Sequence, residues 1–456
     1  MSLFRAKATL ARAAGRASRL TGRGGTSLPG TVLLALDDQA LERLARRLGR
    51  GSVVISATNG KTTTTALTES ILALAGIPAV HNFAGANMAG GVASALLTVN
   101  EHEAVGVLGL FEVDEFWLDG VVAALTPRAI VLANLFRDQL DRYGELETIG
   151  DRWAQLAAAA SGRLVLGADD PLVASLGDQA DDPLYFGVED PSLARTGGLA
   201  HAADSTQCRR CGAPYRYERV YIGHLGVYEC TGCGHRRPAP QVSAHSVELD
   251  GVRRARFELR TPAGRAEVAL ALPGLYNVYN ALAAAALATA LEVPLATIVA
   301  GLAAASPMFG RAERLTVDGH ELQIMLMKNP AGANELLRTL ALESGEQHLL
   351  ALLNDHDADG RDISWIWDAD FEELVPRAAR VTCGGTRAAE MALRMKYAGV
   401  ATDRIVVDEN VANALDTALL GSAGATVYAL PTYTAMLELR EVLRRRGLAS
   451  SSWVRS

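Results

Sequence analysis

Cysteine is scarce in this chain, five residues in 456, too few to staple a fold of this size through disulfides. Four of the five stand in two Cys-x-x-Cys pairs, which points to a reducing cytoplasm and to a metal rather than to an oxidising compartment. Lysine is scarce too: among 44 basic residues only Lys7, Lys61, Lys328 and Lys396 are lysines. Beside so much Ala and Arg, that reads as the bias of a GC-rich genome. A net charge of −7 excludes a generally basic, nucleic-acid-binding coat. Long apolar runs are missing as well. The most apolar stretch, 281–305, is interrupted by Glu292 and Pro294, short of the roughly 20 residues a membrane span needs. The first residues hold no compact apolar segment with a small-residue cleavage site, so no secretory signal is expected. What is present is a chain 49% hydrophobic and 21% charged, ample for sizeable cores, whose length predicts about two to four domains.

No acidic residue precedes Asp37. At about 100° per residue, Arg5, Arg12, Arg16, Arg19 and Arg23 fall on one stripe and Leu3, Ala6, Leu10, Ala13, Ala17 and Leu20 on another. Residues 1–30 are therefore expected to include a basic amphipathic helix, docked by its Leu/Ala stripe with its arginines solvated. The alternative is a helix resting on anionic lipid at the inner membrane surface, where each basic residue adds about 1 kcal/mol.

From residue 51 onward the pattern is α/β. The apolar run Ser52–Ser56, a Gly/Asn turn and a helix over 62–75 are followed by strand candidates at 105–111, 129–133 and 163–166, the alternation of a parallel-type sheet covered by helices. Residues 201–240 break the style with Cys, Arg, Tyr and Gly and read as an insertion. A helix over 277–291 resumes it. A second, Rossmann-like α/β unit over 315–456 has strand candidates at 349–353, 381–383, 405–407 and 426–430.

The segment 56–63, Ser-Ala-Thr-Asn-Gly-Lys-Thr-Thr, is a strand–loop–helix phosphate site. Backbone amides around Thr58, Asn59, Gly60 and Thr63 face phosphates, Lys61 adds a point charge, and the Thr62 hydroxyl suits Mg²⁺. The longer glycine-first pattern fails, because Ile55 stands where its first Gly belongs. Residues 111–115, Phe-Glu-Val-Asp-Glu, close a strand with three carboxylates, and such a strand end beside a phosphate loop can hold Mg²⁺; otherwise it is a solvated acidic loop. Cys208, Cys211, Cys230 and Cys233 have the spacing of a four-thiolate zinc ribbon, a structural site without an open position. His224 and His235 lie near in sequence and could replace a thiolate, but four cysteines make that unnecessary; Cys383 reads as a buried thiol. The loop 353–368 crowds Asp355, Asp357, Asp359 and Asp362 ahead of Trp365 and Trp367. Its spacing does not fit a calcium loop, leaving a charged turn or a loop anchored for a partner.

Together, residues 58–63, Glu112, the run 134–144 (Asn-Leu-Phe-Arg-Asp-Gln-Leu-Asp-Arg-Tyr-Gly), 274–277 with Asn280, and 310–313 resemble the central domain of Mur ligases. Within that superfamily the ribbon and the Asp loop resemble the MurT family, ligase subunits of lipid II isoglutaminyl synthase that work with a glutamine amidotransferase subunit, GatD. The resemblance implies a central ATP-binding domain over 31–314 with the ribbon at 201–240, and a C-terminal MurT-type domain over 315–456. It implies ATP, Mg²⁺ on Thr62 and Glu112, structural Zn²⁺, a base contact from Asn277 and a phosphate contact from Arg311. The implied reaction converts the α-carboxylate of D-glutamate in the lipid II stem peptide to an acyl phosphate, which ammonia then attacks. The chain offers no credible glutaminase cysteine of its own, and Asp355, with Asp359 as fallback, would complete the partner's Cys–His pair in trans. Departures from the pattern are Gln139 in place of a Mg²⁺-binding His, no lysine between Lys61 and Lys328 to be carbamylated, Ala57 for a loop Gly, and too short a segment before the loop for a sugar-nucleotide domain. Two rivals remain at this stage: a Mur- or folylpolyglutamate-type ligase that adds an amino acid, and an ATP switch whose ribbon binds nucleic acid, which a pI near 5.8 disfavours.

Overall fold

The computed structural model describes residues 2–20, 26–82, 85–138, 146–195, 199, 203–305 and 311–448. Two sheets carry the chain. The first begins with parallel strands β1 (Ser52–Ser56), β2 (Ala79–His81), β3 (Leu108–Glu112), β4 (Ala129–Leu132), β5 (Arg163–Gly167) and β6 (Leu184–Val188). The hairpin β7 (Tyr215–Ile222) and β8 (Leu225–Cys230) stands apart from it as a two-stranded sheet. Strands β9 (Val242–Asp250), β10 (Arg254–Thr261) and β11 (Gly264–Leu270) then return to the first sheet, giving the order β11-β10-β9-β6-β5-β4-β1-β3-β2. β9 joins β6 in parallel, whereas β10 and β11 run antiparallel.

These three strands are absent from the sequence expectation, and the reason is physical. Parallel strands covered on both faces are continuously apolar, as β1 and β3 are buried at every position. Antiparallel strands with one wet face alternate: β10 reads Arg-Ala-Arg-Phe-Glu-Leu-Arg-Thr, with Ala255, Phe257 and Leu259 buried.

The second sheet comprises β12 (Arg311–Val317), β13 (His320–Met325), β14 (Gln347–Leu352), β15 (Ala378–Gly384), β16 (Ile405–Val407) and β17 (Val427–Pro431), in the order β12-β13-β17-β14-β15-β16. All neighbours are parallel except the β12–β13 hairpin. Its first strand starts at Arg311, slightly ahead of the expected second unit.

The N-terminal helix Ser2–Leu20 docks, but by a different face from the one expected. Phe4, Ala8, Ala11 and Gly15 are buried, and Gly15 sits so close to Pro29 that a Cβ there would lie 2.4 Å from its ring. Leu3 and Leu10, of the supposed docking stripe, are 71% and 57% exposed. Periodicity alone could not choose between two apolar stripes, and the one holding the aromatic residue and the small close-approach glycine won. Arg5 donates to Glu101 (2.7 Å) and Arg12 to the Leu97 carbonyl (2.9 Å). Among the described residues no helix is long and apolar enough to cross a membrane.

On the edge strand β2, His81 Nε2 lies 3.1 Å from Glu69 on helix Lys61–Leu74. That bond, with a smaller opposing effect of burial, raises the His81 pKa and lowers that of Glu69. A raised histidine stabilises fully below its unfolded pKa of about 6.5 and loses that contribution as pH rises through the folded value. Because both side chains are about a third or more exposed, the effect is at most about 1 kcal/mol. In urea melts, Glu69→Gln should therefore cost more stability at pH 6 than at pH 8, and an equal cost at both would contradict the pairing.

Candidate active site

The parallel strands deliver their C-terminal ends to one crevice. Register pairs Ile55 with Glu112 and Ser56 with Leu132, so the turn after β1, the acidic end of β3 and the segment after β4 meet. The turn enters helix Lys61–Leu74 through Gly60 at φ +92°, and a Cβ there would lie 1.9 Å from Asn280 Oδ1. Only glycine fits both constraints. Asn134 fixes the loop: the Asn59 N–H donates to its Oδ1 (2.9 Å), its Nδ2 donates to the Asn59 carbonyl (3.0 Å), and the Thr58 N–H donates to its carbonyl (3.0 Å). The Phe136 N–H donates to Thr58 Oγ1 (3.0 Å).

These groups open on a cavity of about 430 Å³, lined by Thr58 through Thr63, Glu112, Asp114, Asn134, Trp117, Lys328 and an apolar end that includes Phe136, Ile222, Leu225, Tyr276 and Leu336. The helix N-terminus with its dipole faces the polar end, an arrangement suited to phosphate. Lys61 Nζ donates to the Ala57 carbonyl (2.5 Å) and to Glu115 Oε2 (2.6 Å), both side chains being buried. Burial pushes the Glu115 carboxyl up, but the charges of Lys61 and Lys328 more than offset this and hold it below the usual range. Lys328 in turn donates to Asp138. Burial disfavours the Lys328 charge, yet Asp138 and Glu115 outweigh it and raise its pKa. Asp138 itself is pushed up by burial despite Lys328. Glu112 is almost fully buried, and Asn82 clips its backbone by accepting its N–H (3.0 Å) and donating to its carbonyl (2.9 Å). Thr62 and Glu112 both line this cavity, and their oxygens are of the kind that Mg²⁺ takes.

Lys328 escaped the sequence reading, although a signal existed. Lysine is rare here, and two of the chain's four lysines face one cavity. Where arginine is the default cation, a retained lysine marks a place wanting a compact point charge instead of a planar fork.

Asn277 does not line the cavity. Its Nδ2 donates to the Pro273 carbonyl (2.7 Å), and its Oδ1 accepts from Asn280 (3.1 Å), which does line it. Arg311 begins β12, but its side chain lies outside the described residues, as does Gln139.

Asp355 also stands away from the cavity wall. It accepts from Thr386 Oγ1 (2.9 Å) and from Arg387 Nε (2.8 Å); burial acts against its charge, but these bonds and the Arg387 charge keep its pKa low. The other aspartates shape the loop. Asp359 accepts the Thr434 N–H (2.8 Å) and its hydroxyl, Asp357 pairs with exposed Arg361, and Asp362 accepts the Ser364 N–H.

The four ribbon thiols lie within 4.8 Å of one another, with Cys208–Cys233 at 3.7 Å and Cys211–Cys230 at 3.4 Å, near the roughly 3.8 Å between sulfurs that a tetrahedral ion with bonds of about 2.3 Å sets. The N–H groups of Cys233 and Gly232 point at Cys230 Sγ and, against burial, lower that thiol to about 6. His235 stays beside the knuckle, its Nδ1 3.0 Å from the Tyr215 hydroxyl. His224 does not: it sits at the other end of the hairpin, packed against Phe136 with ring centroids 4.6 Å apart and the rings tilted by 50°. Cys383 is buried, which raises its pKa to about 12.

Residues 55–231 match the family model of the Mur ligase middle domain, and 326–436 match that of the MurT ligase C-terminal domain. A lipid II isoglutaminyl synthase (glutamine-hydrolyzing) subunit MurT from Streptococcus pneumoniae (strain ATCC BAA-255 / R6) is 35% identical over 97% of this chain and 98% of its own length. Its namesake from Staphylococcus aureus (strain N315) is 34% identical over 96% and 97%. In three dimensions the chain is similar to a pseudomurein peptide ligase type C from Methanothermus fervidus, with a TM-score of 0.67, 24% identity and coverage of 87% of this chain and 79% of that one.

Proposed function

We propose a reaction from the premise that this chain belongs to the MurT family, whose relatives are named as subunits of lipid II isoglutaminyl synthase. The chain is an ATP-dependent carbon–nitrogen ligase of peptidoglycan synthesis, amidating the α-carboxylate of D-glutamate in the lipid II stem peptide. The observation that carries this reading is the single cavity in which the phosphate loop, Lys61, Glu112 and Lys328 converge. In the first step a carboxylate oxygen of the substrate attacks the γ-phosphorus and the bond to ADP breaks, leaving an acyl phosphate. In the second, ammonia attacks the carbonyl carbon, loses a proton, and phosphate departs with its bonding electrons, giving D-isoglutamine. Lys61 and the loop amides offset charge on the transferring phosphoryl group, and Lys328 faces it from the C-terminal unit. To reach phosphate, Lys61 must exchange Glu115 for it. Thr62 and Glu112 would hold Mg²⁺, which neutralises phosphate charge when bound. In this assignment residues 31–314 form the central ATP-binding domain, with the ribbon at 201–240, and 315–456 the C-terminal MurT-type domain.

The test is an amidation assay with the purified chain, ATP, Mg²⁺ and lipid II, supplied with ammonium or with single amino acids. Ammonium-dependent exchange of a hydroxyl for an amine, read by mass spectrometry, is expected. Amino-acid addition without amidation would return the chain to the amino-acid ligases.

The name "subunit" given to the relatives supports a heterodimer with a glutaminase, to which Asp355 would contribute. The four cysteines would hold Zn²⁺, whose thiolate bonds supply folding energy to a hairpin that has little core of its own. Cys208→Ser is expected to release zinc, quantified by metal analysis, and to lower the melting temperature. A variant that melts like the parent after losing its metal would refute the structural role.

A further inference from the structure

The zinc ribbon reaches further than its metal end. Register pairs Tyr215 with Cys230 at the knuckle and Ile222 with Leu225 at the tip, so β7 spans about 24 Å at about 3.4 Å per residue. Ile222 and Leu225 are buried and line the cavity that the phosphate loop opens on. Between them, His224 is fully buried, packed at a tilt against Phe136, with Nε2 3.3 Å from Asp170 Oδ2. The same Asp170 oxygen accepts the N–H of Leu135 (2.8 Å), in the segment whose Asn134 and Phe136 hold Asn59 and Thr58. Arg338, on the C-terminal unit's helix Pro330–Ala341, donates to the Tyr221 carbonyl (3.4 Å) and to Glu335 (2.7 Å). The tip is thus keyed to the phosphate loop on one side and to the second unit on the other.

A nucleotide whose phosphates meet the helix start at Gly60 must place its base against something flat or apolar. The cavity offers Phe136, Tyr276 and Leu336, and the hairpin adds Ile222 and Leu225. We propose that the ribbon is a metal-fixed wall of the nucleotide site: its tip covers the purine, and the thiolate-bound ion at its far end holds that tip in place. This rests on the ATP reading above and extends it, because it gives the insertion a part in nucleotide binding beyond holding itself together.

Calorimetry on the full chain with Mg²⁺ and two probes tests this: ADP, and inorganic pyrophosphate, which fills only the phosphate half. In the double variant Ile222→Ala/Leu225→Ala, the ADP Kd should rise about 10- to 100-fold, with pyrophosphate affinity and zinc content unchanged. Cys211→Ser, at an exposed ligand, should lose zinc and weaken ADP binding likewise. In the unmodified protein, amides of residues 220–226 should gain protection from hydrogen exchange with ADP and none with pyrophosphate, a measurement that needs no variant to fold. Unchanged ADP affinity in either variant, equal loss of both probes, or an unprotected tip in ADP-bound protein overturns the proposal. Failure of the unmodified chain to bind either probe would instead remove the ATP reading on which it rests.

Discussion

Lys61→Ala should reduce ATP-dependent amidation by about a hundredfold or more, even with ammonium salt in excess. The side chain is the cation nearest the helix start, and its buried Nζ already trades hydrogen bonds between the Ala57 carbonyl and Glu115. A nucleotide phosphate entering beside it replaces one anion with another, so the lysine stays compensated throughout. Truncation also strands Glu115, and a buried ion that loses its partner costs about 3–5 kcal/mol, so instability could mimic lost catalysis. The double variant Lys61→Met/Glu115→Gln removes both charges and preserves volume. It should melt closer to the parent than Lys61→Ala and still fail to amidate. Substantial ammonium-driven turnover in either variant would sink the phosphate-loop mechanism.

Asp355→Asn should separate two half-reactions. A glutaminase cysteine is activated by a histidine, which needs an acceptor to orient it and stabilise its cation. Asp355 is held by Thr386 and Arg387, so its carboxylate is presented in a fixed orientation and stays ionised at neutral pH. The asparagine variant keeps the shape and one acceptor oxygen but removes the charge. In the complex with its glutaminase subunit, glutamine-driven amidation is expected to fall by between about 10² and 10⁴. Ammonium-driven amidation should persist, because Asp355 does not line the cavity. Equal loss of both activities would place the residue in the ligase centre, and loss of neither would return it to the surface.

How much of this could be read from the residues depended on the kind of signal. A phosphate loop is a contiguous string whose backbone does the binding, so residues 58–63 announce themselves and the cavity gathers them. Cysteine spacing is equally local, and the four thiols do cluster. Lys328 is different. It reaches the cavity only because distant segments meet, and it sits in no string whose chemistry is evident before folding. His224 shows the converse: closeness to the cysteines along the chain says nothing once a hairpin carries it to the opposite end. The N-terminal helix shows the limit of periodicity, which reports that a stripe exists and not which stripe finds a neighbour. Covered parallel strands were legible as apolar runs, while half-wet β10 was not.

The boundary between the two sheets carries a consequence for modularity. Lys328 of the second unit pairs with Asp138 of the first, and Asn59 and Asn329 exchange amide hydrogen bonds in both directions (3.3 and 2.9 Å). The seam is therefore stitched at the phosphate loop itself, as well as at the β9–β10 turn, where the Val252 N–H donates to Glu343 (2.9 Å). Cutting the chain between the sheets would yield two fragments that are each topologically whole, yet the nucleotide-binding one would have lost a wall and its charge balance. The described residues build two large sheets around one indivisible working part, so a tether or a tag placed at that junction perturbs chemistry before it perturbs architecture.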